Sequence, residues 1–352
     1  MLIGDGESPH LLKWARMLQP RVRLYAISSR GFAPGWELLL PDAQRLALNL
    51  APDHGGGNVA LVKTLPRVGA WLAQVDADWL HAHYLTSHGT LAWAARLGWR
   101  LRAQIAGSAW GSDILVTPQR GGAWRWLTKK ALRECAVTTS DSQHMTERMR
   151  ELGAREVMTF PFGLEAMPKQ NVKKQPWLCF ANRGLEPIYR PQRVIEAFAR
   201  IAGVQPDARL VVANDGSLRA ALQADVATRG LADRVSFVGL LDAAAQAAHY
   251  ARSTWFLSLP QSDSVSVSVL EAMAHGCVPL LSELPANREL IGDSARGLIV
   301  SDTDGALDDL PARMATLDTA KLAIANRDWV AANGLFEPHV QRFLTRLREL
   351  ST

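Results

Sequence analysis

The most informative stretch of this sequence is SLPQSDSVSVSVLEAMAHGCVPLLSELPANREL, residues 258–290. The stretch opens on the end of an apolar segment, TWFLSLP (254–260), which is typical of a buried strand. A polar loop follows, and the apolar spacing then predicts a helix over 264–275. A second apolar run, CVPLLS (277–282), comes directly after the helix. A strand, a helix and another strand in this order predict part of a parallel sheet.

The start of this helix carries the chemistry of the stretch. A helix that begins after a strand leaves its first backbone N–H groups without intrahelical acceptors and presents the positive end of its dipole, which suits a diphosphate. Asp263 precedes the helix and Glu271 lies inside it, with seven residues between them, and both carboxylates can accept hydrogen bonds from sugar hydroxyls. The alternative interpretation, an ordinary amphipathic core helix, accounts for Leu270, Met273 and Ala274 but leaves both carboxylates unexplained.

The same alternation of short apolar runs and amphipathic segments covers most of the chain and falls into two series. The predicted strands are at 22–28, 78–83, 101–107, 136–140 and 156–160, then at 177–182, 208–214, 234–239, 254–260, 277–282 and 297–300. The predicted helices are at 58–74, 86–97, 123–134 and 141–151, then at 190–202, 217–229, 243–251, 264–275 and 303–316. Two consecutive series of this kind predict an α/β fold with two doubly wound parallel sheets.

A polar segment divides the two series. EAMPKQNVKKQP (165–176) has two prolines, three lysines and no apolar periodicity, which is typical of a linker. We therefore predict an N-terminal domain over 1–166, a linker over 167–176, a C-terminal domain over 177–330 and a final helical segment, 331–352, that crosses back to the first domain. Because open α/β sheets bind ligands beyond the carboxyl ends of their strands, two such domains facing each other predict a central cleft that holds the ligands.

The composition is that of a globular protein without a membrane span. The 352 residues are 48% hydrophobic and 21% charged, and no stretch approaches the roughly 18 consecutive apolar residues that a span requires. The opening MLIGDGESPH has neither a basic start nor a long apolar core, so no signal peptide is predicted. Cys135, Cys179 and Cys277 are scattered and odd in number, which argues against a disulfide framework and favours a reducing, cytosolic environment. No Cys/His spacing indicates a metal site.

The net charge of +5 lies entirely in the first half of the chain. Residues 1–165 have 19 Lys or Arg and 14 Asp or Glu, a difference of +5, whereas residues 166–352 have 20 of each. Within the first half, RGGAWRWLTKKALR (120–133) combines cations with Trp124 and Trp126, which is typical of a helix on an anionic bilayer surface. The alternative is a solvated helix face with its tryptophans in the core. Nucleic acid is a weaker candidate, because no known binding module is present and the charge excess is modest.

The pattern D-x₇-E with Glu-Ala-Met-Ala-His-Gly-Cys-Val-Pro (271–279) resembles the retaining glycosyltransferases of family 4, which have E-x₇-E and a GT-B fold of two Rossmann-like domains. In that family the first acid and the following backbone hold the donor sugar and its diphosphate, and the second acid binds the ribose. The resemblance therefore implies that Asp263 orients the sugar and that Glu271 binds the ribose hydroxyls. The implied backbone contacts to the donor come from Ser264, Val265, Ser266 and Val267. Aspartate at 263 shortens the reach by one methylene, which leaves the identity of the sugar open.

A second segment resembles the start of the family's donor domain. FANRGLEPIYRPQRVIEAF (180–198) matches the family's arginine at Arg183, whereas Tyr189 takes the place of its lysine and Arg190 follows one residue later. The resemblance implies that both arginines neutralise the departing diphosphate in a reaction without a bound metal or cofactor, since the charge that develops requires cations. The alternative for Arg190 is a solvated charge at a helix start.

Three segments of the first half resemble motifs of the family's acceptor domain. They are GDGESPH (4–10), in the place of a glycine-rich turn; DWLHAHY (78–84), similar to D-x-x-H-x-H; and GSAWGSDIL (107–115), similar to the H-G-x-D loop. The resemblance implies a donor contact at Gly6 and acceptor contacts at His10, His83, Tyr84, Trp110 and Asp113. Trp110 stands where histidine is common, which removes one candidate acid or base. This does not exclude catalysis, because in the family's mechanism a donor phosphate oxygen takes the acceptor's proton. The protein then contributes mainly by positioning the substrates and by stabilising the charge that develops.

These features predict an enzyme that transfers a sugar from a UDP-sugar or GDP-sugar to an acceptor hydroxyl, with retention at the anomeric carbon. The resemblance and the charge distribution favour a glycan or lipid-linked acceptor in bacterial cell-surface polysaccharide or glycolipid synthesis. They also favour a cytoplasmic protein that is peripheral on the inner face of the membrane. Two alternatives stay open: a sugar-nucleotide epimerase of the same fold, and a nucleotide-sugar binding protein without turnover.

Overall fold

The computed structural model describes residues 1–50, 59–169, 172–292 and 295–351. Residue 58 of the predicted helix at 58–74 and residues 170 and 171 of the predicted linker lie outside the described residues. The strands are β1 (Leu2–Gly4), β2 (Ala26–Ser28), β3 (Arg45–Ala47), β4 (Trp79–His83), β5 (Gln104–Ser108), β6 (Cys135–Ser140), β7 (Val157–Thr159), β8 (Gln175–Ala181), β9 (Arg209–Ala213), β10 (Val235–Gly239), β11 (Ser253–Ser258), β12 (Val278–Ser282) and β13 (Leu298–Val300). The helices are α1 (Pro9–Leu18), α2 (Val59–Lys63), α3 (Leu65–Val75), α4 (Thr90–Gly98), α5 (Ser112–Leu115), α6 (Gly122–Glu134), α7 (Gln143–Glu151), α8 (Pro191–Val204), α9 (Arg219–Thr228), α10 (Ala243–Arg252), α11 (Val267–Ala274), α12 (Pro285–Ile291), α13 (Leu310–Ala315), α14 (Thr319–Asn333) and α15 (Phe336–Ser351).

The chain forms two compact units. Unit 1 contains Met1–Phe160 and Glu337–Thr352, and unit 2 contains Pro161–Phe336. The boundaries therefore lie at 160/161 and 336/337, whereas the sequence pattern predicts 166 and 331. Counted within these bounds, unit 1 has 22 Lys or Arg against 15 Asp or Glu, a net charge of +7, and unit 2 has 17 against 19, a net charge of −2.

Unit 1 is built on a seven-stranded sheet whose paired strands are all parallel. The strand order is β3-β2-β1-β4-β5-β6-β7, so the chain reverses its direction of winding between β1 and β4. Strand β2 is shorter than the predicted 22–28, because its neighbour β1 offers only three residues and the ladder ends with the pair Gly4 and Ser28. The edge strand β3 is absent from the sequence-based prediction.

Unit 2 repeats this arrangement with six parallel strands in the order β10-β9-β8-β11-β12-β13. The winding reverses between β8 and β11, which pair directly. In open α/β sheets ligands bind beyond the carboxyl ends of the strands at such a reversal. The loops that follow β8 and β11 are therefore the first place to look for a site in unit 2, as the loops after β1 and β4 are in unit 1. The predicted α/β fold with two doubly wound sheets is confirmed.

Local chemistry explains where several helices begin. Helix α1 starts at Pro9, because the Ser8 side chain accepts a hydrogen bond from the His10 N–H and Pro9 occupies the first turn. The helix predicted over 303–316 is wrong at its start: α13 begins at Leu310. Gly305 adopts a φ of +77°, a left-handed conformation that a helix does not contain. A proline in the first turn of α3 likewise divides the helix predicted over 58–74 into α2 and α3.

The segment PFGLE (161–165), which resembles a hinge signal of the family, opens unit 2. Leu164 N–H donates to the Gly334 carbonyl at 2.8 Å, and Phe336 N–H donates to the Leu164 carbonyl at 2.8 Å. A Cβ on Gly163 would lie 1.7 Å from the Gly334 carbonyl oxygen, so this close approach of two backbones requires glycine. Helix α15 starts immediately after this contact.

None of the helices that the structure describes is long and apolar enough to cross a membrane.

Candidate active site

Arg183 lies at the winding reversal of unit 2, just after β8, and is the centre of the candidate donor site. Its Nη2 donates to Asp263 Oδ2 at 2.6 Å, and both side chains are only 20% exposed. The guanidinium also lies over the ring of Tyr189, 4.6 Å from its centroid. Asp263 comes from the loop after β11, so the sheet order brings together two residues that are 80 positions apart.

Arg183 also contacts the N-terminus of α11. Its Nη1 donates to the Ser266 hydroxyl and, at 3.3 Å, to the Ser268 hydroxyl, and these two hydroxyls are 2.8 Å apart. Ser266 is the N-cap residue, and its side chain makes no capping hydrogen bond. The guanidinium therefore adds to the partial positive charge that the first turn of α11 already carries. Val267 begins the helix, whereas Ser264 and Val265 precede it as buried loop residues.

Asp263 holds Arg183 in this place. Its Oδ1 accepts a hydrogen bond from the Ser264 N–H at 3.0 Å, and its Oδ2 is the partner of Arg183. Burial raises the pKa of Asp263, and the Arg183 cation and the Ser264 N–H oppose that rise. Each carboxylate oxygen thus has a partner within unit 2.

Glu271 lies in α11, four residues after its first residue. Its Oε2 accepts hydrogen bonds from Gln246 Nε2 at 3.0 Å and from the Tyr250 hydroxyl at 3.1 Å. Gln246 and Tyr250 both belong to α10, one turn apart, and sequence analysis does not identify either of them. Their i, i+4 spacing on a helix that precedes the motif is the signal that could have found them. Sequence analysis also misses Ser268.

Arg190, the second predicted cation, contacts the loop that follows β11. Its Nε donates to the Leu259 carbonyl at 3.1 Å and its Nη2 to the Pro260 carbonyl at 2.9 Å, while Nη1 lies 3.0 Å from Asp302 Oδ1. Arg190 itself has a φ of +44°. The side chain therefore holds the end of β11 in place. The two carbonyls belong to the loop that also carries Asp263, and the remaining contact of the guanidinium is the ion pair with Asp302.

In unit 1 the structure brings together three of the predicted acceptor residues. The Trp110 ring lies 4.8 Å from the His10 ring and 5.9 Å from the His83 ring, centroid to centroid. Trp110 Nε1 donates to His83 Nδ1 at 3.3 Å. His83 Nε2 is buried without a hydrogen-bond partner among the residues that the structure describes. Burial and the neighbouring histidines hold the pKa of His83 well below its usual range, so the ring is neutral and Nε2 carries the proton.

Tyr84 and Asp113 connect the loops around this cluster. The Tyr84 hydroxyl contacts the Ser112 hydroxyl. The fully buried Asp113 accepts the Trp110 N–H through Oδ1 at 2.9 Å and the Leu85 N–H through Oδ2 at 2.8 Å. Burial raises the pKa of Asp113 to about 6, against the effect of these N–H groups. Asp113 is thus a buried residue that ties two loops together, and the loops present Trp110 and Tyr84.

Gly6 is packed rather than open. Its N–H donates to the Ser28 hydroxyl at 2.8 Å, and its carbonyl accepts the Trp36 Nε1–H at 2.7 Å. A Cβ at this position would lie 2.6 Å from the Gly31 carbonyl oxygen. The structure therefore explains the glycine by close packing of the loop after β1; the donor contact that the resemblance implies at Gly6 stays a prediction.

Helix α6 exposes the aromatic and basic side of unit 1. Trp126 is 58% exposed and lies edge to face with Trp93 of α4, with centroids 6.4 Å apart. Lys130 Nζ lies 5.1 Å from the Trp93 ring centroid and 2.6 Å from Glu134 Oε1. Arg120, Arg125 and Arg133 are exposed. The alternative in which both tryptophans of the segment are core residues is wrong for Trp126, since most of its side chain faces solvent.

Each unit of the chain contains a doubly wound parallel sheet, and unit 2 places Arg183 and the N-terminus of α11 at its winding reversal, an arrangement that suits a diphosphate. Two family models match the chain: a glycosyl transferase 4-like domain over residues 6–163 and glycosyl transferases group 1 over residues 164–317. The chain belongs to the family 4 type of GT-B glycosyltransferases.

Two similar proteins are mannosyltransferases, and one solved structure shares the fold. The chain is 27% identical over 287 residues to the GDP-mannose-dependent alpha-mannosyltransferase of Mycolicibacterium smegmatis, covering 76% of this chain and 72% of that protein. It is 24% identical over 323 residues to the phosphatidyl-myo-inositol mannosyltransferase of Mycobacterium leprae, covering 86% and 82%. The crystal structure of Anabaena Alr3699/HepE in complex with UDP and glucose shares the fold, with a TM-score of 0.76, 15% identity and 98% of each chain covered.

Proposed function

We propose that this glycosyltransferase moves a sugar from a UDP-sugar or GDP-sugar to an acceptor hydroxyl with retention at the anomeric carbon. One observation carries the proposal: Arg183, held by Asp263, joins the N-terminus of α11 one turn before Glu271. A cation and a helix N-terminus at one place suit a diphosphate, and a carboxylate one turn further along suits the hydroxyls of a ribose.

In this proposal the residues of unit 2 stabilise the leaving group. The diphosphate gains negative charge as the bond to the sugar breaks, and Arg183 with the first N–H groups of α11 meets that charge in a position that is set before the donor arrives. Asp263 keeps the guanidinium in place and stands next to the sugar, whose orientation it sets. Arg190 acts through the loop after β11, which it holds at Leu259 and Pro260. We place no metal or cofactor in the step.

We assign the acceptor to the carboxyl edge of the sheet in unit 1. Trp110 offers an aromatic face to a sugar ring, with His10 beside it, and the neutral His83 holds the indole by accepting its N–H. No residue here has to act as a tuned base if a phosphate oxygen of the donor takes the acceptor's proton.

The acceptor is a glycan or a lipid-linked glycan in the synthesis of a bacterial cell-surface polysaccharide or glycolipid. The two mannosyltransferases similar to this chain support this class, since one is named for phosphatidyl-myo-inositol. The exposed Trp126 and the arginines of α6, in a unit of net charge +7, favour a peripheral contact with an anionic membrane on its cytoplasmic side.

Isothermal titration with UDP, GDP, ADP and CMP tests the donor site. We expect one of the first two to bind, and we expect Arg183→Gln to weaken that binding at least tenfold, since it removes a charge-assisted contact. Arg229→Gln, which removes an exposed arginine directly after α9 in the same unit, is the matched control. Absence of binding by all four nucleotides would contradict the proposal.

Turnover with the donor that binds separates the alternatives. Incubation of the nucleotide sugar alone followed by mass and NMR analysis detects an epimerase by a new sugar isomer. Transfer to an acceptor, with the anomeric configuration of the product read by NMR, is expected to show retention, and an inverted product would refute it. Binding without transfer to any lipid-linked or soluble glycan tested would favour a nucleotide-sugar binding protein.

Co-sedimentation with vesicles tests the membrane contact. We expect binding to vesicles that contain phosphatidylglycerol, little binding to phosphatidylcholine alone, and loss of binding in Trp126→Ser. Leu240→Ser in unit 2 removes another exposed apolar side chain and serves as the control. If Trp126→Ser and Leu240→Ser bind the phosphatidylglycerol vesicles equally well, α6 does not make the membrane contact.

A further inference from the structure

The surroundings of Glu271 form a network that neither the motif nor the proposed donor contacts explain. Tyr250 is 1% exposed, and its ring packs edge to face on Phe180 at 5.1 Å and against Phe256 at 5.6 Å between centroids. The His275 ring is stacked on it at 5.6 Å. Rings on several sides fix the tyrosine, and they thereby fix the position of its hydroxyl.

The direction of the hydroxyl proton follows from its partners. Asn182 Nδ2 donates to the Tyr250 oxygen at 2.7 Å, so the hydroxyl proton is directed to another acceptor. Two acceptors lie 3.1 Å away, the Ser268 carbonyl and Glu271 Oε2. A hydrogen bond to a carboxylate is stronger than one to a neutral carbonyl, so Glu271 is the preferred acceptor. Burial and the Glu271 charge raise the pKa of Tyr250 well above its ordinary value, so the hydroxyl keeps its proton at physiological pH.

Gln246 adds a second donor to the same carboxylate oxygen. It lies one turn before Tyr250 on α10, and its Nε2 is 3.0 Å from Glu271 Oε2. The carboxylate is thus held by two donors from one helix, while Glu271 itself stands on another helix, α11. A free glutamate side chain would have to be ordered when a ligand binds, and a side chain that is already held avoids that entropic cost.

We infer that Gln246 and Tyr250 are positioning residues that hold Glu271 for the ribose hydroxyls of the donor and so make the site selective for ribonucleotides over deoxyribonucleotides. This inference rests on the proposed function, in which Glu271 binds the ribose. Neither residue touches the diphosphate or the sugar in this assignment, so both act through Glu271 and contribute to the affinity for the donor rather than to the chemical step.

Binding of UDP and GDP is compared with that of their 2′-deoxy and 3′-deoxy analogues by isothermal titration on the full chain. The measured quantity is the ratio of the Kd of the analogue to the Kd of the ribonucleotide. For the wild type we expect a ratio of about ten or more, since the lost hydroxyl bonds a charged group. Glu271→Gln should bring the ratio close to one.

Tyr250→Phe and Gln246→Ala should each weaken the ribonucleotide about three- to tenfold while leaving the deoxy analogues nearly unchanged, a factor of ten being 1.4 kcal/mol. In the Glu271→Gln background neither change should alter the ratio further. In turnover assays the same variants should raise the KM for the donor and leave kcat close to wild type. Tyr25→Phe in unit 1 and Gln223→Ala on the exposed side of α9 are the matched controls.

The possible results distinguish the positioning role of Gln246 and Tyr250 from the ribose-binding role of Glu271. If Tyr250→Phe weakens ribonucleotides and deoxy analogues equally, the tyrosine is merely structural and the inference fails. If Glu271→Gln lowers the ratio and both α10 variants keep it at the wild-type value, the ribose assignment stands and the positioning role is refuted. If Glu271→Gln leaves the ratio unchanged, the ribose assignment itself fails. Thermal unfolding without ligand checks that every variant is folded.

Discussion

Replacing Arg183 by methionine isolates what holds the candidate donor site together. The exchange retains most of the apolar stem but removes the cation, so the largely buried Asp263 loses its partner at 2.6 Å. Breaking a buried ion pair costs about 3–5 kcal/mol, and an exposed pair contributes about 1 kcal/mol or less. Because both side chains are 20% exposed, we expect a loss between these limits, about 2–3 kcal/mol. This corresponds to a midpoint of thermal unfolding lower by about 4–10 °C.

The loss should depend on pH in a definite direction. Burial raises the pKa of Asp263 from 3.8 and Arg183 opposes that rise, so Arg183→Met raises the pKa further. A carboxyl group with a raised pKa binds more protons in the folded state, so its contribution to the free energy of unfolding falls as pH rises through the interval between the two pKa values. The variant should therefore be closer to wild type at about pH 4.5 than at about pH 7.5.

Circular dichroism melts at these two pH values provide the test, with Asp263→Asn and the double variant completing a cycle. We expect Arg183→Met to cost less stability when Asp263 is already asparagine, with a coupling free energy of about 1.5 kcal/mol at neutral pH. Arg209→Met, at an arginine of β9 that donates to the nearby carbonyls of Pro206 and Ala208, is the control. Additivity within about 0.5 kcal/mol, or a loss that is the same at both pH values, would show that Arg183 and Asp263 do not stabilise each other.

Three further predictions concern stability. Asp113→Asn places an N–H₂ group where a carboxylate accepts a backbone N–H and should lower the free energy of unfolding by about 2 kcal/mol. Because burial raises the pKa of Asp113 from 3.8 to about 6, denaturant titrations should show that wild type loses stability relative to this variant as pH rises through that interval. A pH-independent difference between the two proteins would contradict this prediction. Burial lowers the pKa of His88 from 6.5 to about 4. The contribution of His88 to the free energy of unfolding is therefore fully present above pH 6.5 and is lost as pH falls through that interval. His88→Gln should flatten this part of the plot of the free energy of unfolding against pH. Gly163→Ala should lower the free energy of unfolding by about 3 kcal/mol or more, because the new Cβ would overlap the Gly334 carbonyl. Gly203→Ala in helix α8, where the Cβ meets nothing within 4 Å, should instead raise it by about 0.5–1 kcal/mol. Equal melting temperatures of the two variants would contradict the packing explanation.

Much of the fold could be predicted from the sequence because its signals are local. Strands β4, β6 and β10 lie within one residue of the predicted bounds, since a buried strand in a parallel sheet is a short apolar run between amphipathic helices. The start of α1 is equally local, because Ser8 and Pro9 act within one turn. Strand β3 escapes prediction because its three residues are half-buried at a sheet edge and form no apolar run.

The candidate site was only partly predictable. The motif identifies Arg183, Asp263 and Glu271 as chemically important, but it assigns Arg190 the same task as Arg183. In the structure, Arg190 bonds to the backbone carbonyls at the end of β11. A cation has the same appearance in a sequence whether it faces a ligand or a carbonyl, so no local pattern distinguishes these two uses.

The two α/β series, the family resemblance and the helix start between Asp263 and Glu271 follow directly from the sequence, because periodicity and spacing act over a few residues. The tertiary structure alone decided which groups meet: Arg183 with Asp263 across the β8–β11 reversal, and Tyr250 with Glu271 across two helices. The physical reason is that strand order and helix packing bring distant residues to hydrogen-bonding distance, and these arise from burial of the whole apolar surface of each sheet.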